Sequence, residues 1–225
     1  MHGTLKICGL STPETLEATL AIGVEMVGFV FFTKSPRHIS LAQASALTGQ
    51  VKGRAQKVAL SVNANDDLLA AIIAALKPDL LQLHGDETPE RVVAVKGKFG
   101  MPVLKAIGIA EATDLEAARK FESVVDGLLF DAKPPKDAVL PGGNGLAFDW
   151  HLLQNHGLNV PVMMSGGLNP YNVRHAILTT RIGGVDVSSG VESAPGVKDN
   201  DKIAAFVAEA RAGFIDVQRL NSAGE

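Results

Sequence analysis

The sequence has almost no cysteine. Of 225 residues only Cys8 carries a thiol, which excludes an intramolecular disulfide and a cysteine-rich metal site. It has little net charge: 21 Lys and Arg stand against 24 Asp and Glu, a formal balance of −3. Nothing there calls for nucleic acid or an anionic membrane as a partner. It has no long hydrophobic run. The longest uninterrupted one, LLAAIIAAL at 68–76, is far too short to span a bilayer. The start lacks a basic region followed by a long apolar segment, so no signal peptide is expected. With no disulfide framework and no export signal, the expected compartment is the cytoplasm. The six histidines show no metal pattern: His151 and His156 stand five apart, off one helix face, and no acidic or cysteine cluster completes a site. No metal is expected. No linker or low-complexity tract divides the chain, so residues 1–225 are read as one domain.

What the sequence does have is a regular alternation. Short apolar, β-branched runs lie at 4–8, 26–31, 57–62, 80–84, 102–107, 127–131, 161–165 and 184–188. They are nearly continuous in their apolar character, which suits parallel strands covered on both faces. Between them lie helix signals. Thr12 and Pro13 form a cap-then-proline start with Gly23 past the end, the run after Asn65 stops before Pro78, and Asn169–Pro170 repeats the start signal. The apolar run 68–76 reads as a buried helix with Ala outward in preference to a subunit contact, which favours a monomer over a dimer. Eight strand–helix units predict an α/β fold, a single-domain (β/α)8 TIM barrel. A doubly wound open sheet would use fewer strands, and no GxGxxG opens the first helix.

In such a barrel the carboxyl ends of the strands form the active face. Cys8 stands at the end of the first strand, either as packing filler or as a reactive thiol. After strands 7 and 8 come SGGLNP, with Gly166 and Gly167, and SSGVE, with Ser188, Ser189 and Gly190. Glycine lets backbone N–H groups approach a ligand, and N–H groups at a helix start attract phosphate. The pair predicts a phosphate seat where this fold recurrently places one. Arg37, after strand 2, offers paired donors to a planar carboxylate, or is a solvated surface residue. Asp131 closes the sixth strand and is either a proton donor or an ordinary capped or salt-bridged carboxylate. His84 ends strand 4, where an orienting role is preferred to catalysis. The Pro- and Gly-rich stretch after Asp131 is long for a loop and is a candidate lid.

Together the stretches KICG, FVFFTKSPRHIS, LLQLHGDE, LLFDAK…GGNGLAFDW, MSGGLNPYNV and VDVSSGVESAPGVKD resemble phosphoribosylanthranilate isomerase. The resemblance runs from Lys6 to about Phe206. It implies a cofactor-free barrel that converts N-(5-phosphoribosyl)anthranilate, a small-molecule phosphosugar, by an Amadori rearrangement in tryptophan biosynthesis. It assigns Cys8 as general base, Asp131 as general acid, Arg37 to the anthranilate carboxylate, and the Gly-Gly and Ser-Ser-Gly turns to the phosphate. Asp186 falls in a family motif without an assigned role. The chain departs from the family at Asn144, where Thr is usual, and at Ser165, where Ala is usual. Another sugar-phosphate isomerase would call for paired carboxylates or a metal set at the strand ends. A non-catalytic phosphate-binding barrel would call for loss of Cys8 or Asp131.

Overall fold

The computed structural model describes residues 3–133, 142 and 148–223. Eight parallel strands close into a barrel in sequence order. They are β1 (Thr4–Cys8), β2 (Met26–Phe31), β3 (Gln56–Ser61), β4 (Leu80–Leu83), β5 (Val103–Ile109), β6 (Gly127–Ala132), β7 (Val162–Met164) and β8 (Gly184–Val187). Helices α1 (Pro13–Ile22), α2 (Leu41–Val51), α3 (Asp66–Leu76), α4 (Pro89–Phe99), α5 (Ala112–Arg119), α6 (Val173–Thr180) and α7 (Asn200–Ala223) surround it. Between β6 and β7 the described residues hold only a 3-10 turn, Trp150–Leu153. A hairpin, β9 (Glu192–Ala194) and β10 (Val197–Lys198), intervenes before α7. The candidate lid lies largely outside the described residues, as does Asn144.

Local chemistry sets the element ends. Thr12 caps α1 by accepting the Thr15 N–H, Pro13 opens it, and Gly23 closes it at φ 79°. Asn65 caps α3 in the same way, and Lys77 ends it in the left-handed region. One boundary differs from the sequence expectation. The cap of α6 is Asn172, not Asn169. Asn169 instead builds the preceding turn: its Oδ1 accepts the Tyr171 N–H at 2.9 Å, and its own N–H donates to Asn172 Oδ1 at 2.8 Å. Along α3, Leu69, Ile72 and Leu76 are buried, while Ala70 and Ala74 face out.

Most of the core lies between barrel and helices, with Ile7, Phe29, Leu128, Ile177 and Phe206 among its fully buried members. Each such large side chain contributes about 1.5–3 kcal/mol relative to exposure. Strand alternation sends the other residues into the barrel. Leu104, Ala106, Leu129 and Met163, with Met26 and Leu80 against them, fill one end of it. Cys8, Val30 and Leu60, with Phe32 and Val62, line the other. Lys6 lies two residues before Cys8 on the same face of β1, and is wholly buried. The fold thus puts an apolar plug at the amino ends of the strands and a mixed, polar layer at their carboxyl ends.

Candidate active site

A cleft opens at the carboxyl ends of the strands, lined by Cys8, Arg37, His84, Asp131, Gly166, Gly167, Asp186, Ser188 and Ser189. Residues from Cys8 to Ser189 are therefore gathered by one barrel mouth.

Cys8 is 3% exposed. It pairs with Gly28 across the β1–β2 ladder, and a Cβ on Gly28 would lie 2.8 Å from the thiol sulfur. The missing side chain makes the room that Cys8 fills. Burial pushes the thiol above its ordinary value; the Lys6 ammonium pulls it down, the Asp186 carboxylate pushes it up, and Lys198 pulls it down. Burial wins, so an empty barrel holds Cys8 as a thiol near neutrality. Cationic help comes from Lys6 and Lys198. The first helix starts only at Pro13, and the N–H groups of Gly9 and Leu10 both donate to the Gly28 carbonyl, at 2.9 and 3.1 Å.

Asp131 is 4% exposed on β6. Its Oδ1 accepts the Ala132 N–H at 2.9 Å, and its Oδ2 lies 3.3 Å from His84 Nε2. His84 Nδ1 faces Gln82 Nε2 at 2.9 Å. With the amide so assigned, Nδ1 is the acceptor and the ring proton sits on Nε2, facing Asp131. No lysine or arginine among the described residues forms an ion pair with Asp131. His84 therefore holds the carboxyl in place and is itself held by Gln82.

Gly166 and Gly167 follow β7 at φ 82° and 65°, a region in which other residues are strained. Among the described residues no acceptor takes the N–H of Gly167 or of Ser189. The Ser188 hydroxyl is already used. It donates to the Cys8 carbonyl at 3.0 Å and accepts from Lys198 Nζ at 3.2 Å. Ser189 opens the 3-10 turn Ser189–Val191. Gly190 stands back from the cleft and packs against the Leu168 carbonyl.

Arg37 is 6% exposed and lines the cleft, which excludes a solvated surface role. Its Nε donates to Glu192 Oε1 at 2.7 Å and its Nη2 to Glu192 Oε2 at 2.9 Å. Lys198 Nζ adds a bond of 2.8 Å to Glu192 Oε1. Burial alone would raise Glu192, but Arg37 and Lys198 together hold its carboxyl below the usual range.

Sequence reasoning missed several of these residues. Lys6, Gln82, Glu192 and Lys198 sit inside motifs quoted for other members. Lys6 carried a signal, since a lysine within a buried strand two residues before a thiol must share its face. The apolar wall of Val30, Phe32, Leu60 and Val62 was hidden because apolar strand residues look alike in sequence. Among the described residues no cluster of His, Cys, Asp and Glu could hold a metal ion, and no helix is long and apolar enough to cross a membrane.

The family model for N-(5'-phosphoribosyl)anthranilate (PRA) isomerase matches residues 5–209. The N-(5'-phosphoribosyl)anthranilate isomerase of Nitrobacter hamburgensis is 57% identical over 97% of this chain and 97% of its own. The crystal structure of the Thermotoga maritima phosphoribosyl anthranilate isomerase is 34% identical, with a TM-score of 0.84 over 93% of this chain and 99% of that one. A phosphoribosyl anthranilate isomerase solved with reduced 1-(o-carboxyphenylamino)-1-deoxyribulose 5-phosphate is 32% identical, with a TM-score of 0.80 over 93% of this chain and 99% of the other.

Proposed function

Because the chain belongs to the N-(5'-phosphoribosyl)anthranilate isomerase family, we propose that Cys8 and Asp131 divide the proton transfers of that family's reaction. The enzyme is an isomerase of L-tryptophan biosynthesis. It converts N-(5'-phosphoribosyl)anthranilate to 1-(2-carboxyphenylamino)-1-deoxyribulose 5-phosphate by an Amadori rearrangement.

The reaction needs two opposite proton transfers. The ribose ring oxygen gains a proton as its bond to C1 breaks, leaving a Schiff base between C1 and the anthranilate nitrogen. The C2 proton then leaves to give an enolamine, which becomes the ketone as C1 gains a proton and the C2 hydroxyl loses one. Asp131 gives the first proton and Cys8, as thiolate, takes the second. The observation that carries this reading is the placement of the two groups. One is on β1 and the other on β6, strands that are not neighbours in the closed barrel, and both line one cleft. Substrate seated between them would present the ring oxygen to one side and C2 to the other.

The rest of the cleft supports the same orientation. The phosphate sits at the open N–H groups of Gly167 and Ser189, with Gly166 and Ser188 shaping the two turns and Gly190 bracing them. The anthranilate ring lies on the wall of Val30, Phe32, Leu60 and Val62, and its carboxylate faces Arg37. Asp131 is oriented by His84. A structure determined in high sulfate should show an anion at the Gly167 and Ser189 N–H groups. Finding those groups bonded to protein acceptors instead would remove the phosphate seat.

We also read residues 1–225 as one barrel domain, working as a monomer in the cytoplasm without a cofactor. The exposed large apolar side chains are spread over α2, α3, α4, α7, β10 and the turn before α6, which does not suit a single apolar interface. Sedimentation of the purified protein at micromolar concentration tests the monomer, and a twofold mass would overturn it. The activity test is loss of anthranilate-type fluorescence on adding purified protein to the substrate. An unchanged signal with folded protein would contradict the function.

A further inference from the structure

Lys6 is wholly buried, and the barrel interior is an expensive place for an ammonium group. It lies opposite Asp186 in the β1–β8 ladder, and its Nζ donates to Asp186 Oδ1 at 3.0 Å. An ammonium carries three donors. The Asp186 carboxylate takes one of them, and the Cys8 sulfur is a second hydrogen-bond partner of the ammonium. The side chain stands directly below Cys8 on the same strand face, and the sulfur is itself confined by the Gly28 backbone. An ion pair needed only to plug the barrel would be replaceable by apolar side chains like those at its other end, at little or no cost in stability.

We propose that Lys6 and Asp186 are positioning residues for Cys8: a buried ammonium–carboxylate pair beneath the sulfur that sets the thiol's charge, with Lys6 drawing it toward thiolate and Asp186 opposing that pull. The proposal rests on the reading of Cys8 as the base. With Cys8 as thiol, Lys6 charged and Asp186 ionised, the trio is neutral. Loss of the thiol proton to solvent takes the trio to −1 with the Lys6 ammonium beside the sulfur; the thiolate then takes the C2 proton and the trio is neutral again.

The electrostatics agree in sign. Burial alone would lower Lys6, but Asp186 and Cys8 more than offset it, so its pKa stands above that of an ordinary lysine and the group stays an ammonium. Other charged groups face the same space. Lys198 on β10 pulls Cys8 in the same direction as Lys6, and Arg37, His84 and Asp131 line the cleft from the segment after β2, from the end of β4 and from β6. None of these changes when Lys6 or Asp186 is replaced, so the two single variants read the pair alone.

The test uses the chain's single thiol. Thiolate absorbance against pH, with Cys8→Ser as the blank, reports Cys8 and nothing else, and the rate of iodoacetamide labelling gives a second reading. Asp186→Asn is expected to lower the midpoint and speed labelling at neutral pH, by roughly tenfold for each pK unit. Lys6→Met is expected to raise the midpoint and slow labelling. The double variant Lys6→Met/Asp186→Asn should fall between the two, and it keeps the test available if either single variant fails to fold. In that case its midpoint must differ from the surviving variant's in the stated sense. The acid limb of the kcat/KM profile should move with each midpoint. Shifts of the same sign in both single variants, or no shift in either, would overturn the proposal, because a merely structural pair cannot move the thiol in opposite directions. The outcome is separable from the base assignment. If Cys8→Ser retains turnover the assignment fails, while the titrations still report whether the pair sets the thiol's charge.

Discussion

Two of the buried lysines, Lys6 and Lys105, each face a carboxylate from a barrel strand, and they differ in the side of the strand they occupy. Lys6 points into the barrel, toward Asp186 and Cys8. Lys105 lies between Leu104 and Ala106, whose side chains face inward, so it points out toward the helices. There its Nζ lies 2.9 Å from Glu87 Oε2 and 2.6 Å from the Gly85 carbonyl. Glu87 in turn accepts the N–H groups of Asn63 at 2.8 Å and Gly85 at 2.9 Å. The outer pair ties together the segments after β3 and β4. The inner pair joins two barrel strands, β1 and β8, beneath Cys8. On the proposed reading the same two side-chain types serve chemistry on one face of the sheet and architecture on the other, and the period of two along a strand decides which.

That contrast is sharpened most strongly at the mouth itself. Cys8→Ser keeps the shape but offers a far weaker base, and Asp131→Asn cannot give a proton. Each should lower kcat by about 10²- to 10⁴-fold with KM little changed, measured by anthranilate fluorescence. If either turns over normally, that residue does not have its role. On the outer face, Lys105→Met leaves Glu87 buried without its cation. It should cost about 3–5 kcal/mol of stability in a urea titration, while the Cys8 titration midpoint stays put. A moved midpoint would erase the distinction between the two lysines.

Smaller effects follow at the rim. Arg37→Ala should weaken substrate binding by about 1.5–3 kcal/mol, read as a raised KM with a smaller change in kcat; an unchanged KM would exclude the carboxylate role. Glu192, which holds Arg37, has its carboxyl kept below the usual range once the opposing effect of burial is overcome by Arg37 and Lys198. Its contribution to stability is complete above the ordinary value of 4.5 and is lost as pH falls through the lower folded value. Glu192→Gln should therefore show a shallower fall in melting temperature than the parent below that pH. Parallel curves would mean that Glu192 carries none of the acid sensitivity.

The fold was legible in the sequence because each unit stated its own limits. Thr12–Pro13, Gly23 and Pro78 marked helix ends, and the apolar runs marked strands to within one or two residues. The site was legible where chemistry was unusual for its place, as with a thiol or an aspartate at a strand end. It was illegible where the pairing is long-range. Glu192 reaches Arg37 across 155 positions, and Asp186 reaches Lys6 across 180. Neither spacing has a local signature. The Asn169 signal misled because an asparagine followed by proline suits a turn as well as a cap, and here Asn172 bonds it into the turn.

The central claim is that Cys8 and Asp131 do opposite jobs, and the most direct measurement of it is a kinetic isotope effect on substrate deuterated at ribose C2. In Cys8→Ser, removal of the C2 hydrogen becomes the slow step, so the effect on kcat should reach its full size. In Asp131→Asn, ring opening becomes slow, so the effect should fall toward unity. Equal isotope effects in the two variants, or the reverse order, would contradict the division of labour on which the account rests.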